Sequence, residues 1–387
     1  MRTIPNMADL LRPIDEIVNK KFLPAITEQS AISESTRKLL SLPVKLGGLG
    51  IPIFSEICEF EFNNSQRMSK YLVDKIVAQD PSYTVDLQRE REIRVVLKKE
   101  KETREKEKLL ELRRTMSKNE QRVNEIAQMK GASAWLTALP LKEEGFVLNK
   151  REFFDGLAFR YCWQMKRLPQ NCACGSPFNM EHAMTCMKGG YVVRRHDRIR
   201  DLLAKVLADV AHGVHTEPHL QPLTGEVLSG GSNVKEGARL DIVARDFWQI
   251  HEMAFFDIMV FNPIARSHIN TNLETLFKQK ESLKKRLYNN RVTRVEHGSF
   301  TPVILSALGG FGVETSRFLS KLVEKVSEKK DLESSVVSNY IRTKISFELV
   351  RSQVACVRGS RSLRAMTIDV NEAEVVDTAS VIRDSNA

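Results

Sequence analysis

Apolar residues in the second half of the chain first recur with helical spacing and then form short continuous runs. The strongest helical pattern lies at 199–210, where apolar positions fall at i, i+3, i+4, i+7, i+8 and i+11. These positions are Ile199, Leu202, Leu203, Val206, Leu207 and Val210. Three strand-like runs follow, at 214–223, 238–247 and 253–262. The pattern therefore predicts an amphipathic helix followed by three strands.

A basic helix is predicted from about 273 to 292, followed by a fourth strand at 301–307 and by two helices that fill most of 313–357. The order of elements is thus helix, three strands, helix, strand. Together with a mainly helical N-terminal half, this order predicts an α+β protein.

The first half of the chain reads as helices and turns. Residues 1–84 are interrupted by a glycine-rich stretch at 46–52, which predicts a sharp turn. Residues 85–130 are rich in Glu, Arg and Lys, with no apolar residue between Lys98 and Lys108, and predict one long charged helix. This helix is either an exposed spacer or is docked through the apolar residues at its two ends. Those residues are Ile93, Val96, Leu97, Leu109, Leu110, Leu112 and Met116.

Composition and charge narrow the class of partner. With 387 residues, 42% of them hydrophobic, the chain can bury a core in two or three units. Its formal net charge of +10 favours a polyanionic partner. Nucleic acid is the first expectation and an anionic membrane surface the second, although the same charge would also keep an ordinary protein soluble. No apolar run approaches the roughly 18 residues that span a bilayer, so we expect a soluble protein.

Three cysteines and one histidine lie close together in the pattern Cys172-x-Cys174-x7-His182-x3-Cys186. Zn²⁺ prefers four such ligands in a tetrahedron. Gly175 permits a tight turn after the first two thiols, and the last two ligands are one helical turn apart. The spacing predicts a structural zinc knuckle.

Two alternatives remain for these thiols. They are chance or simply buried cysteines, although the other three cysteines, Cys58, Cys162 and Cys356, are distant in sequence. A disulfide framework is less favoured, because the N-terminus does not resemble a signal peptide and the chain is large.

Two aspartates, Asp241 and Asp257, lie inside strand-like apolar runs, where a charge is costly without a partner. They are sixteen residues apart, which is enough for two neighbouring strands and a turn. Paired carboxylates at a sheet edge suit Mg²⁺, which can activate water for attack on a phosphodiester. Glu217 or Asp201 can supply a third acid. The alternative is that each aspartate caps a turn or pairs with a nearby arginine.

The predicted basic helix can contribute to the same site. Its basic cluster comprises Lys280, Lys284, Lys285 and Arg286. Lys284 shares one face with Tyr288 and can steady a water or a phosphate at the acidic pair. The cluster can instead make plain phosphate contacts or be solvated.

The order of these elements and acids resembles the restriction-enzyme-like nucleases that carry a PD-(D/E)xK motif. Two positions depart from the motif, since Leu240 replaces the usual proline and Met259 stands where a lysine is expected. The resemblance implies a restriction-endonuclease-like αβββαβ core with Mg²⁺ held by Asp241 and Asp257.

A narrower resemblance covers most of 35–362. The knuckle is followed by Arg195-His196-Asp197, Glu217-Pro218, Arg239-Leu-Asp-Ile242, a second buried aspartate and a Lys-x-x-x-Tyr helix. This series is similar to the C-terminal part of non-LTR retrotransposon polyproteins of the restriction-enzyme-like endonuclease type. The stretch at 42–51 is also similar to the segment that follows the reverse-transcriptase core in retroelement polyproteins.

That resemblance implies a nuclear, metal-dependent DNA endonuclease, which nicks target DNA for target-primed reverse transcription. Its catalytic candidates are Asp241, Asp257, Glu217 and Lys284, with catalytic Mg²⁺ and structural Zn²⁺ as cofactors. The implied partners are DNA first and element RNA second. The basic residues expected to contact nucleic acid are Arg194, Arg195, Arg198, Lys285 and Arg286. No Tyr/Phe-x-Asp-Asp motif is present, so polymerase activity is not expected.

The resulting division of the chain has six parts. They are a helical region at 1–84, the charged helix at 85–130, a helical linker at 131–170, the zinc knuckle at 171–190, the endonuclease domain at 191–362 and a disordered tail at 363–387. Two other functions remain open. Met259 favours a catalytically inactive nucleic-acid-binding remnant, and the charged helix allows a purely structural interaction protein.

Overall fold

A computed structural model describes residues 2–80 and 86–361, so the predicted tail at 363–387 lies outside the described residues. The chain divides into two units, the first being Met1–Ser117 and the second beginning at Lys118. The described part of the first unit is helical, whereas the second unit combines helices with a small four-stranded sheet. The expected α+β class is confirmed.

The first unit contains a series of helices joined by short turns. They are α1 (Ala8–Ile17), α2 (Leu23–Thr27), α3 (Glu34–Ser41), α4 (Phe54–Val77) and α5 (Leu87–Arg113), with a π-helical turn at Val18–Phe22 and a 3₁₀ turn at Val44–Leu46. The predicted glycine turn follows the 3₁₀ turn. A Cβ atom on Gly48 would lie 1.8 Å from the Leu42 carbonyl oxygen. Only glycine therefore allows the two backbone segments to approach this closely.

The charged helix is shorter than predicted. α5 ends at Arg113 instead of residue 130, and a separate helix, α6 (Lys118–Ala127), begins the second unit. The Leu112 carbonyl accepts a hydrogen bond from Thr115 Oγ1 at 2.9 Å, which satisfies a carbonyl that a continuing helix would have bonded.

The charged helix is docked within its own unit through a few apolar residues in its middle and at its C-terminal end. Leu97, Leu109 and Leu112 are buried, whereas the residues between them are mostly exposed. Ion pairs tie this charged middle to α4, for example Arg67 with Glu100 at 2.5 Å. The docked alternative therefore describes α5 better than a plain exposed spacer.

The second unit contains the predicted core elements in the predicted order. Helix α10 (Tyr191–Ala208) precedes β1 (His212–Thr216), β2 (Ile242–Arg245) and β3 (Met253–Phe261), and α11 (Leu273–Arg291) precedes β4 (Ser299–Ser306). The remaining helices are α7 (Ala134–Thr137), α8 (Lys150–Tyr161), α9 (Met180–Ala183), α12 (Val313–Lys330) and α13 (Ser334–Arg358). The strands are hydrogen-bonded in the order β1-β2-β3-β4, and only the β3–β4 pair is parallel.

The first strand is shorter than the predicted run at 214–223. It ends at Thr216 because Glu217 has a positive φ of 52° and is followed by Pro218, which has no amide hydrogen to donate. A long loop then leads to β2. The two ends of this loop are hydrogen-bonded to each other, since Glu217 N donates to the Asp241 carbonyl.

The sheet lies between two layers of helices. Side chains of α10, α12 and α13, including Leu203, Phe318 and Ile345, pack on one face against Phe256 and Ile258. Leu276 and Phe277 of α11 belong to the cluster on the other face. Because side chains alternate along a strand, Asp257 lies on the opposite face from Phe256, the face that α11 covers.

Candidate functional site

The two candidate carboxylates lie opposite each other at the start of β2 and the middle of β3. The antiparallel register pairs Ile242 with Phe256, so its continuation by one residue places Asp241 opposite Asp257 on the same face. Asp241 also bonds β3 directly, since its Oδ2 accepts from Ile258 N at 2.5 Å. The structure therefore brings together the two acids that the sequence singled out.

Asp257 is buried beside the predicted lysine of α11. Its side chain is 7% exposed, and Oδ2 lies 2.6 Å from Lys284 Nζ. Burial raises the pKa of Asp257 to about 6, Lys284 opposes this shift, and the Asp241 charge adds to it. Lys284 thus reaches Asp257 from the basic helix α11.

Asp241 has a partner that the sequence reasoning did not assign. His196 of α10 places Nε2 3.1 Å from Asp241 Oδ2, while its Nδ1 lies 3.1 Å from Asp197 Oδ1. Burial lowers the pKa of His196, but its hydrogen bonds to the two carboxylates outweigh burial and raise the pKa to about 9. The Arg195-His196-Asp197 motif was the available signal, because its histidine contacts Asp241 and its aspartate contacts that histidine.

Stability without added Mg²⁺ is expected to fall as the pH rises from about 6.5 to about 9. His196 has a higher pKa folded than unfolded, so its contribution is complete below the unfolded pKa and disappears as the folded group deprotonates. The shift from 6.5 to about 9 corresponds to roughly 3 kcal/mol, since each pKa unit is worth about 1.4 kcal/mol. Urea unfolding across this pH window measures the loss.

The matched comparison for this effect is His196→Gln against His215→Gln, because His215 is exposed on β1. The first substitution is expected to flatten the pH profile, and the second to leave it as in the wild type. Equal pH slopes in the wild type and His196→Gln would contradict the assignment.

The two candidates for a third acid are held by an arginine. Arg200 Nη1 contacts Glu217 Oε1, and Arg200 Nε lies 2.8 Å from Asp201 Oδ1. Glu217 also pairs with Arg239 at 3.4 Å. Both acids are thus engaged in ion pairs at the edge of the site.

The predicted knuckle forms a compact cluster of four ligands. The ligand atoms of Cys172, Cys174, His182 and Cys186 all lie within 4.8 Å of one another. The Cys172 and Cys186 sulfurs are 3.7 Å apart, close to the edge of about 3.8 Å that a tetrahedron with Zn–S bonds of about 2.3 Å requires. This Cys₃His cluster can bind a metal such as zinc.

Local hydrogen bonds shape the cluster. The Cys172 amide donates to the Ser176 carbonyl at 2.8 Å, and Gly175 adopts a φ of +90° in the turn between them. Asn179 caps α9, and the Cys186 amide, three residues beyond the end of this helix, donates to the His182 carbonyl. This hydrogen bond closes a single turn that brings His182 and Cys186 together.

The thiols of the cluster differ in their ionisation. Hydrogen bonds from Ser176 lower the pKa of Cys174 to about 6, whereas burial raises the pKa of Cys186. All six cysteines lie in the described part of the chain and none forms a disulfide. The disulfide alternative is therefore not supported.

Outside the knuckle, the described residues contain no other group of three potential metal ligands this close together. The acidic pair is therefore not a preformed site of three protein ligands. Asp257 Oδ2 nevertheless has no well-aligned hydrogen bond despite its burial, and carboxylate oxygens are the ligand type that Mg²⁺ prefers. The carboxylates of Asp241 and Asp257 are therefore of the ligand type that suits Mg²⁺.

The predicted nucleic-acid contacts divide into exposed and buried residues. Arg198 and Arg286 are exposed, Arg194 lies over the Tyr191 ring, and Lys285 pairs with Glu314 at 2.6 Å. Arg195 was predicted wrongly. It is only 2% exposed, and its guanidinium donates to protein carbonyls, so it is not available to phosphates.

No family model matches this chain, and no curated protein matches it significantly. Among the described residues, no helix is long and apolar enough to cross a membrane.

Proposed function

We propose that this chain is a metal-dependent DNA endonuclease of retroelement origin, with a restriction-endonuclease-like core in which Asp241 and Asp257 hold Mg²⁺. The observation that carries the proposal is the placement of both carboxylates on one face of neighbouring strands, with His196 beside the first and Lys284 beside the second. Mg²⁺ is commonly bound by one or two carboxylates together with water and substrate phosphates, so a third acid is not required.

The protein groups have separate roles in this proposal. Bound Mg²⁺ would supply an activated water and stabilise the charge that develops on the phosphate. Lys284 would take the role of the motif lysine, whose position is occupied by Met259. Its ammonium lies beside the Asp257 carboxylate and can neutralise a neighbouring phosphate oxygen. His196 fixes the orientation of the Asp241 carboxylate, and Asp197 fixes that of the His196 ring.

The Cys₃His knuckle would hold structural zinc. Its four ligands leave no open coordination position, which is typical of structural and not of catalytic zinc. Two arginines of α10, the exposed Arg198 and the partly exposed Arg194, would contact the phosphate backbone next to it.

A second candidate function is a catalytically inactive nucleic-acid-binding remnant. Met259 at the motif lysine position favours this alternative, as does the lack of a preformed three-ligand site at the acidic pair among the described residues. In this alternative the basic surface would bind nucleic acid without any cleavage.

Nicking of supercoiled plasmid DNA distinguishes the two functions. The endonuclease proposal expects open-circular product with Mg²⁺ and none without added divalent metal. In the same preparation, DNA affinity should fall with salt, with a log–log slope of about −0.9 for each phosphate contacted. Salt-dependent binding without nicking would favour the remnant, and loss of both would exclude both functions.

A further inference from the structure

Arg195 is a buried arginine that connects the knuckle to the strand carrying Asp257. Its Nη1 donates to the Met184 carbonyl of the knuckle at 3.1 Å, and its Nη2 donates to the Val260 carbonyl of β3 at 3.2 Å. The same guanidinium lies 4.0 Å from the Cys356 sulfur of α13. Three segments that are distant in sequence therefore meet at one side chain.

A buried charge of this kind requires an explanation. Arg195 forms no ion pair with a carboxylate in the described part of the chain, and removal from water is costly for an unpaired cation. A planar guanidinium carries five donors on three nitrogens in a fixed fork and can reach two separated carbonyls from one buried position, whereas a lysine ammonium has its three donors on one nitrogen. The arginine is thus suited to joining two main-chain carbonyls.

Arg195 is connected to both carboxylates of the acidic pair through its neighbours. The next residue, His196, contacts Asp241, and Val260 follows Asp257 by three residues on β3. Ile258 lies between these points, and its amide donates to Asp241 Oδ2. A shift of Arg195 would therefore move His196, β3 or both relative to Asp241.

The knuckle is held to the sheet by further contacts around Arg195. Asn262 Nδ2 donates to the Glu181 carbonyl at 3.3 Å, and Cys172 and Cys186 belong to the same buried cluster as Cys356. The knuckle is consequently packed against the core and is not an independent finger.

We propose that Arg195 is a positioning residue through which metal binding in the knuckle sets the geometry of the Asp241–Asp257 pair. This inference rests on the proposed function, because it adds a means of control to the same acidic site. Loss of the knuckle metal would release the Met184 carbonyl, and the change would pass through Arg195 to His196 and β3.

Amide hydrogen exchange of Ile258 tests the coupling without any metal at the acidic pair. Extraction of the knuckle metal from the wild type is expected to speed Ile258 exchange by roughly tenfold, because the local opening of β3 becomes easier once the support through Arg195 is lost. Arg195→Met should show the faster exchange with the knuckle loaded, and metal extraction should then add little.

Two controls separate positioning from general destabilisation. Lys205→Met removes an exposed positive charge from the same helix and should exchange like the wild type. The amide of Leu322, in the core of α12, should keep its protection in every folded variant. If Arg195→Met does not fold, Arg195→Lys retains the charge and most of the volume and should show an intermediate rate.

The proposal is overturned if folded Arg195→Met shows the wild-type exchange rate at Ile258. It is also overturned if the substitution and metal extraction have additive effects on this rate, or if the wild-type knuckle binds no metal. A wild type that shows the coupling but does not nick DNA would count against the endonuclease and not against Arg195. The two failures are therefore distinguishable.

Discussion

Asp257→Asn is expected to abolish Mg²⁺-dependent nicking, and Asp241→Asn is expected to do the same. Each substitution keeps the shape of the side chain but removes the negative charge that would hold the metal, so the rate should fall by roughly 10³-fold or more. DNA affinity should stay nearly unchanged, because neither substitution alters the exposed basic residues that would contact the phosphates. Nicking rates and binding isotherms on the same plasmid measure the two effects.

Asp209→Asn is the matched control for this pair, since Asp209 follows α10 and pairs with Lys330 away from the acidic pair. It should nick at the wild-type rate. Because Asp257→Asn leaves the half-buried Lys284 without its carboxylate, thermal unfolding must show that the variant is folded. A folded Asp257→Asn protein that still nicks in Mg²⁺ would remove Asp257 from the catalytic site.

The parts of the site that the sequence predicted depend on local spacing. The knuckle ligands lie within one short segment, so the turn at Gly175 and the helical turn from His182 to Cys186 follow from nearby residues. The placement of the acidic pair could be predicted because it requires only two neighbouring strands in the correct register. An antiparallel connection supplies this arrangement with few alternatives, and Asp241 and Asp257 accordingly face each other.

The parts that the sequence did not predict depend on contacts between distant segments. A surface helix normally exposes its arginines, and Arg195 is buried only because Met184, Val260 and Cys356 surround it in the fold. Glu217 was a reasonable candidate for the third acid because it directly follows β1. In the fold, however, Arg200 of α10 forms an ion pair with it. Side-chain partners of this kind cannot be deduced from periodicity.

The motif departure at Met259 also has a physical explanation in the fold. Met259 shares the α11 face with Asp257, and it packs against a cluster that includes Phe277 and Ile304. A methionine at this partly buried position adds apolar contact to that cluster. Lys284 brings a positive charge to Asp257 from the helix instead, so the strand position is free to be apolar.

Cys174→Ser is expected to remove one zinc ion per chain and to unfold the region around 165–190. Structural zinc supplies on the order of 10 kcal/mol to the folding of small zinc modules, and a serine hydroxyl is a poor replacement for a thiolate ligand. Because Cys172 and Cys186 pack in one cluster with Phe159 and Cys356, loss of the metal should also expose part of this core and lower the melting temperature. Elemental analysis and thermal unfolding measure the two effects.

Cys58→Ser is the control for this substitution, since Cys58 is a buried thiol of the first unit and lies outside the ligand cluster. It should retain the zinc while losing only the small contribution of a buried thiol. Cys174 is the most informative ligand to replace because it is exposed, so its substitution removes a metal bond without leaving a cavity. A drop in stability for Cys174→Ser can therefore be assigned to the metal. Wild-type protein prepared without chelators that contains no zinc, or a Cys174→Ser protein that keeps its full zinc content, would exclude the knuckle as a zinc site.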